Sequence, residues 1–278
     1  MKKFFLCLIF LFLTGCTAAN PVLDAMIGGI SITQVEGYFD LDRKQEKDFE
    51  RELNKDVKNI QRKQLQDFAQ AIRQFDERVP HEKEDSKILS EVFEKLESEY
   101  SNASGAFKNS AVFLVNSLRE EQFAHFEKQV RKEIQEARLD GQAPFNSNLQ
   151  ARFKKQIKYW VGPMSVHQDQ MLKQFIDQEP FPWKERLDNR EQILNRFMAE
   201  RQDPKKLRQF TEQFMVDYDS LRTPEYARSL AAYEERFKGF LNKFWSTLNY
   251  EQKQQLQSSL NKQAQEVESL ALNERPVK

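Results

Sequence analysis

Leu41-Asp42-Arg43-Lys44-Gln45 opens a polar stretch in which Phe49, Leu53, Val57, Ile60, Phe68, Ile72, Phe75 and Val79 recur, mostly at steps of three and four. Such steps place the apolar side chains on one face of a helix. The stretch therefore predicts a single helix over residues 42–79, stopped by Pro80 and more than about 50 Å long if straight. Its first five residues form a start signal. The Asp42 carboxylate can accept a bond from an orphan amide of the first turn, Gln45 can return one to the Asp42 amide, and Leu41 can staple the entry.

The same pattern recurs as Met164-Ser165-Val166-His167-Gln168 and Leu248-Asn249-Tyr250-Glu251-Gln252, and more loosely as Leu118-Arg119-Glu120-Glu121-Gln122. Arg119 has no acceptor and cannot cap, though at the second copy Ser117 with Glu120 can supply the box one frame earlier. Between the four Gln the gaps are 77, 46 and 84 residues, alternating long and short. This spacing suggests a tandem duplication with halves at 38–161 and 162–272.

Beyond residue 37, Gly falls only at 105, 141, 162 and 239, and Pro only at 80, 144, 163, 180, 182, 204, 224 and 276. Between these breaks the apolar residues keep helical spacing, and strand-like alternation is absent. Helices are expected at 86–100, with 102–116 as a weak continuation, then at 118–139, 147–161, 165–178, 183–202, 204–221 and 224–247. A last one starts at 249 and frays near 273. The expected fold is all-α, an elongated bundle or curved cradle of about eight to ten amphipathic helices.

The amino terminus carries an address. Lys2 and Lys3 precede nine apolar residues, 4–12, too few to span a bilayer. Leu13-Thr14-Gly15-Cys16 then resembles the lipobox of bacterial lipoproteins, which implies removal of residues 1–15 and acylation of Cys16. Two or three fatty chains would anchor the protein to a bilayer stably. Thr17 stands where retention in the inner membrane would place Asp, so the resemblance implies the periplasmic face of the outer membrane. Residues 16–37 are expected to be the lipidated Cys and a tether reaching roughly 25 Å as free coil, and residues 273–278 a tail.

Without Lys2 and Lys3, the 43 Lys and Arg fall to 41 against 43 Asp and Glu, a net charge of −2. That balance excludes a nucleic-acid partner of the usual basic kind. Cys7 leaves with the signal and Cys16 carries lipid, so disulfides and Cys-bound metals are excluded. His81, His125 and His167 lack the spacing of a helical zinc pair, and phosphate loops and nucleophile elbows are absent. No catalysis, metal or cofactor is expected.

The four start signals are similar to the Leu-Thr-x-x-Gln motif of the Spy and CpxP family of periplasmic stress proteins, although none has Thr at the cap. That resemblance implies a curved helical cradle without an enzymatic centre, sensing or shielding unfolded envelope proteins. Gly37-Tyr38-Phe39-Asp40-Leu41 with Gln45, Trp160-Val161-Gly162 leading to Ser165 and Gln168, and Trp183 with Arg186, Arg190 and Gln192 resemble landmarks of a proteobacterial lipoprotein family catalogued only as a domain of unknown function. Its usual Trp-His-Arg cluster in the first long helix is missing here, where residues 59–63 keep only Arg62.

The Phe stripes Phe210 and Phe214, and Phe237, Phe240 and Phe244, are expected in the core. Tyr38, Phe39, Trp160, Phe181 and Trp183 flank breaks and are expected to be accessible, as contacts for a protein partner. The expected function is non-catalytic protein binding through apolar helical surfaces in a chaperone-like or envelope-stress role, which predicts a continuous exposed Phe-rich surface. The alternative, an adaptor for one partner of an assembly or secretion machine, predicts a buried core with one localised patch, and a lipid or small-ligand carrier, a third reading, an enclosed pocket.

Overall fold

The computed structural model describes residues 32–79 and 105–272. The export signal with Leu13, Thr14 and Gly15, the anchor Cys16, His81, the helix expected at 86–100 and the tail lie outside the described residues. Among the described residues the chain forms α1 (Ile32–Phe39), α2 (Arg43–Arg78), α3 (Lys108–Ser117), α4 (Glu120–Asp140), α5 (Gln142–Val161), α6 (Val166–Gln178), α7 (Trp183–Glu200), α8 (Pro204–Val216), a 3-10 turn (Tyr218–Leu221), α9 (Pro224–Ser246) and α10 (Tyr250–Leu272). No strand occurs among them, and the fold is all-α.

Three boundaries differ from the sequence reading, each for a local reason. The end of the expected tether is helical, because Val35 and Phe39 of α1 pack on a core cluster and Phe39 stacks on Phe126 at 4.5 Å. α5 starts at Gln142 rather than 147, since Pro144 falls in the first turn, where its missing N–H is not needed. The element expected at 204–221 breaks at Asp217, whose N–H closes α8 on the Gln213 carbonyl before the 3-10 turn begins. α3 has no side-chain cap of its own. The buried Asp56 carboxylate of α2 accepts the Ser110 N–H at 2.8 Å in its place.

Three apolar clusters hold these helices together. The largest joins the second half of α2 to α5, α6, α9 and α10, with Phe153, Phe175, Phe237, Phe240 and Tyr233 in a run of ring contacts. A second joins α4, α7 and α8 through Phe123, Phe197 and Phe210. The smallest gathers Leu41, Phe49, Leu53, Val57, Phe107 and Leu114. At 36 residues, α2 is about 54 Å long and serves two of the three clusters, one with each half. α2 packs along α10, α3 against α8 and α4 against α7, so helices before and after residue 161 share cores.

Candidate functional site: two glutamine clasps and an arginine recess

The four start signals meet in two pairs. Gln45 Nε2 donates to Gln122 Oε1 at 2.9 Å while Gln122 Nε2 donates to Gln45 Oε1 at 2.8 Å. Gln168 and Gln252 exchange the same two bonds, both at 2.9 Å. Each Oε1 also accepts the amide of its own cap residue, Asp42, Arg119, Ser165 or Asn249. Each Nε2 spends its second hydrogen on the carbonyl two residues before the opposite cap. Gln45 reaches Ser117, Gln122 reaches Asp40, Gln168 reaches Thr247 and Gln252 reaches Pro163. Two donors and two acceptor sites per amide are thereby used, the condition for burying such a group without penalty. Gln122 and Gln168 are only 1 % exposed.

The surrounding helices repeat the plan. In each clasp, the helix leading into one box packs on the helix that follows the other: α1 on α4 and α3 on α2, then α5 on α10 and α9 on α6. Leu41 and Leu248 are buried beside their caps, and Leu118 and Met164 are half-buried. Asp40 takes a left-handed conformation (φ 51°) that turns α1 into α2 and presents its carbonyl to Gln122. Gly162 (φ 85°) makes the turn after α5.

One box differs from its sequence reading. α4 starts in the frame of the other copies, with Arg119 as its cap residue. The Ser117 hydroxyl donates backward to the Leu114 carbonyl at 2.7 Å, so the earlier Ser117–Glu120 box does not form. Arg119 receives no first-turn amide. Its guanidinium reaches across the clasp to Asp42 at 2.8 Å and to Glu121 at 2.8 Å. The backbone bonds from Gln45, and then that guanidinium, hold the Asp42 carboxyl below its ordinary range.

The five rings expected to be accessible are not alike. Phe181 is buried, 1 % exposed, with its ring against Phe145 and Tyr233. The break at Pro180 and Pro182 folds inward, because the Phe181 carbonyl is held by Gln142 Nε2 at 3.0 Å. Tyr38, Phe39, Trp160 and Trp183 are half-buried. Tyr38 donates to Glu133 at 2.5 Å, and burial followed by that bond holds its phenol above the ordinary value. Trp160 meets Tyr159 edge-on at 5.1 Å, and Trp183 stacks on Phe145 at 4.3 Å. His125 lies 3.3 Å from the Gly37 carbonyl and His167 is exposed. Among the described residues no three His, Cys, Asp or Glu gather as metal ligands, and no helix is long and apolar enough to cross a membrane.

A second constellation gathers around the landmark Trp183, Arg186 and Arg190, to which the structure adds partners that the sequence left scattered. Trp183, Arg186 and Arg190 fall three and four residues apart on one face of α7, the spacing that aligns side chains along a helix. Arg186 lies over the rings of Trp183 and Phe145, 5.5 and 5.9 Å from their centroids. Arg190 pairs with Glu133 of α4. Arg222 pairs with Asp219 at 2.7 Å and lies over Tyr218 and Tyr226. Arg186 and Arg152 of α5 have no ion pair or hydrogen bond among the described residues.

Desolvation lowers the pKa of both of those arginines, and at Arg186 the nearby charges of Arg190 and Arg152 add to it, opposed by the Tyr226 and Tyr218 phenols. Burial pushes Tyr226 up to about 12. Arg186 is half-buried against these rings and keeps contact with solvent.

Neither the curated proteins nor the solved structures yielded a match to this chain. A family profile does match, over residues 37–227, a span that holds the first clasp, Gln168 and the arginines around Trp183 and Tyr218 and stops before Gln252. With well over half of its length covered, the chain belongs to the family of unknown function DUF6279.

Proposed function

We propose that this protein is a non-catalytic envelope lipoprotein, held by acylated Cys16 on the periplasmic face of the outer membrane, that docks one dedicated protein partner. The reading rests on the Leu13-Thr14-Gly15-Cys16 signal and, above all, on one observation. Phe214, 41 % exposed, is the sole exposed phenylalanine among the described residues. A chaperone-like role related to the Spy and CpxP family would draw on a broad apolar surface, whereas here every described phenylalanine but Phe214 is buried or half-buried. Leu139, Val166 and Tyr250 are exposed singly on other helices, whereas at the end of α8 two exposed apolar residues stand together, which suits an adaptor instead. Phe214 stands edge-on to Tyr218 at 5.3 Å, and Val216, 47 % exposed, lies beside it. The shared plan of the two clasps supports a duplication of halves 38–161 and 162–272, which superposing the halves would test.

A photo-crosslinking residue in place of Phe214, in the full acylated chain in intact cells, tests the docking. One partner at fixed stoichiometry under all conditions is expected. Many unrelated envelope proteins, increasing after unfolding stress, would overturn the adaptor reading in favour of the chaperone-like one. For the anchor, Cys16→Ser should release the protein from the membrane fraction, and full retention there would refute lipidation at that residue.

A further inference from the structure

Three features of α1 work against its own stability. It has eight residues, whereas a helix needs roughly 12–15 to hold alone in water. Gly37 stands in its middle, and a Cβ there would meet no neighbouring atom within 4 Å, so no contact requires the glycine and its cost to the helix is uncompensated. Asp40, at the turn into α2, is the one non-glycine residue at positive φ among the described residues, with 51°. Docking is what holds α1 in place. Phe39 stacks on Phe126, Val35 packs on the smallest cluster, Tyr38 donates to Glu133, and the Gly37 carbonyl lies 3.3 Å from His125.

We infer that α1 is a releasable mount, which undocks from α4 and α2 as one unit while α2 to α10 stay folded. Helicity and docking are lost together, because nothing inside α1 sustains the helix once its side chains leave Phe126 and Glu133. Gln45 and Gln122 keep their mutual bonds in the undocked state. Only the bond from Gln122 to the Asp40 carbonyl is surrendered, and the space that α1 vacates admits water to both groups. Residues 32–40 then pass to the tether, adding up to about 30 Å of extended chain between the body and Cys16. That gain in reach rests on the acylated anchor, whereas the undocking does not.

Amide hydrogen exchange on the acylated mature chain in phosphatidylcholine vesicles tests the undocking. The amides of residues 36–40 should exchange through one shared opening, at least about tenfold faster than those of α4 and α10. Gly37→Ala should slow that opening about fourfold, because it restores helix propensity where the added Cβ has room. Phe39→Ala should speed it at least about tenfold, with α10 protection unchanged. Should Phe39→Ala fail to fold, Tyr38→Phe, which loses only the bond to Glu133, should speed it about threefold.

The full chain with Cys16→Ser, in solution, should open to the same extent, so failure of the anchor reading leaves this result standing. Exchange at residues 36–40 as slow as in α4 overturns the proposal, since α1 would then open only with the whole fold. A smooth gradient from Glu36 to Asp40 also overturns it, as the mark of a fraying end rather than of a unit that undocks. So does a Gly37→Ala chain that opens as fast as the parent, the result expected if helix propensity has no part in the equilibrium.

Discussion

The two glutamine clasps use one hydrogen-bond plan in two electrostatic settings. In the first, Gln45 is half-buried, and Arg119 and Asp42 close the outer side with an ion pair whose side chains are 49 % and 47 % exposed. In the second, both Gln168 and Gln252 are buried, the caps are the neutral Ser165 and Asn249, and the Thr247 hydroxyl also accepts from Gln168. A wetter clasp can borrow water and charge when it loosens. A drier one depends on every amide bond being made, because an unpaired buried donor or acceptor keeps its full desolvation cost.

The largest effect should therefore come from Gln168→Ala, which strands the Gln252 amide, the Ser165 N–H and the Thr247 carbonyl together. Chemical denaturation should show a loss of about 3 kcal/mol, and a loss under about 1 kcal/mol would mean that water enters the second clasp freely. Gln45→Ala should cost less, about 1–2 kcal/mol, since its partners regain solvent. Equal losses at the two positions would erase the proposed contrast.

Double-mutant cycles sharpen the same point. Coupling between Gln168→Ala and Gln252→Ala should reach about 1–2 kcal/mol and exceed that between Gln45→Ala and Gln122→Ala. A smaller, pH-dependent effect belongs to the first clasp alone. The Asp42 pKa is depressed below its ordinary 3.8 by the Gln45 amide and then Arg119, so its contribution is complete above that value and is lost as the pH falls below it. Amide exchange at Lys44 and Gln45 should accelerate in that acid window while Gln168 stays protected, and Asp42→Asn should flatten the difference. Smallest of all, molar salt should loosen the Arg119–Asp42 pair slightly and leave the second clasp unmoved.

The helix starts were legible because capping is local. Asp42 with Gln45, Ser165 with Gln168 and Asn249 with Gln252 each form a box within four residues, and the side chains involved can be read in order. The second copy was misread by the same local rule. Arg119 cannot cap, so the frame moved to Ser117, whereas contacts from Gln45 and Asp42 hold the observed frame across the chain. Phe181 shows the converse. Two prolines mark a break, but a break does not say which way its ring turns, and here Gln142 draws the segment inward.

By itself, then, the sequence determined the all-α class, the four start signals and most helix boundaries, because periodicity and capping act over three or four residues. The tertiary structure alone decided that Gln45 faces Gln122 and Gln168 faces Gln252, pairings across 77 and 84 residues that depend on how the helices pack. It also decided where Arg186 rests. An arginine on a polar helix face reads as solvated, and only the approach of α5 brings the Phe145 ring beside Trp183, so that the guanidinium lies over both.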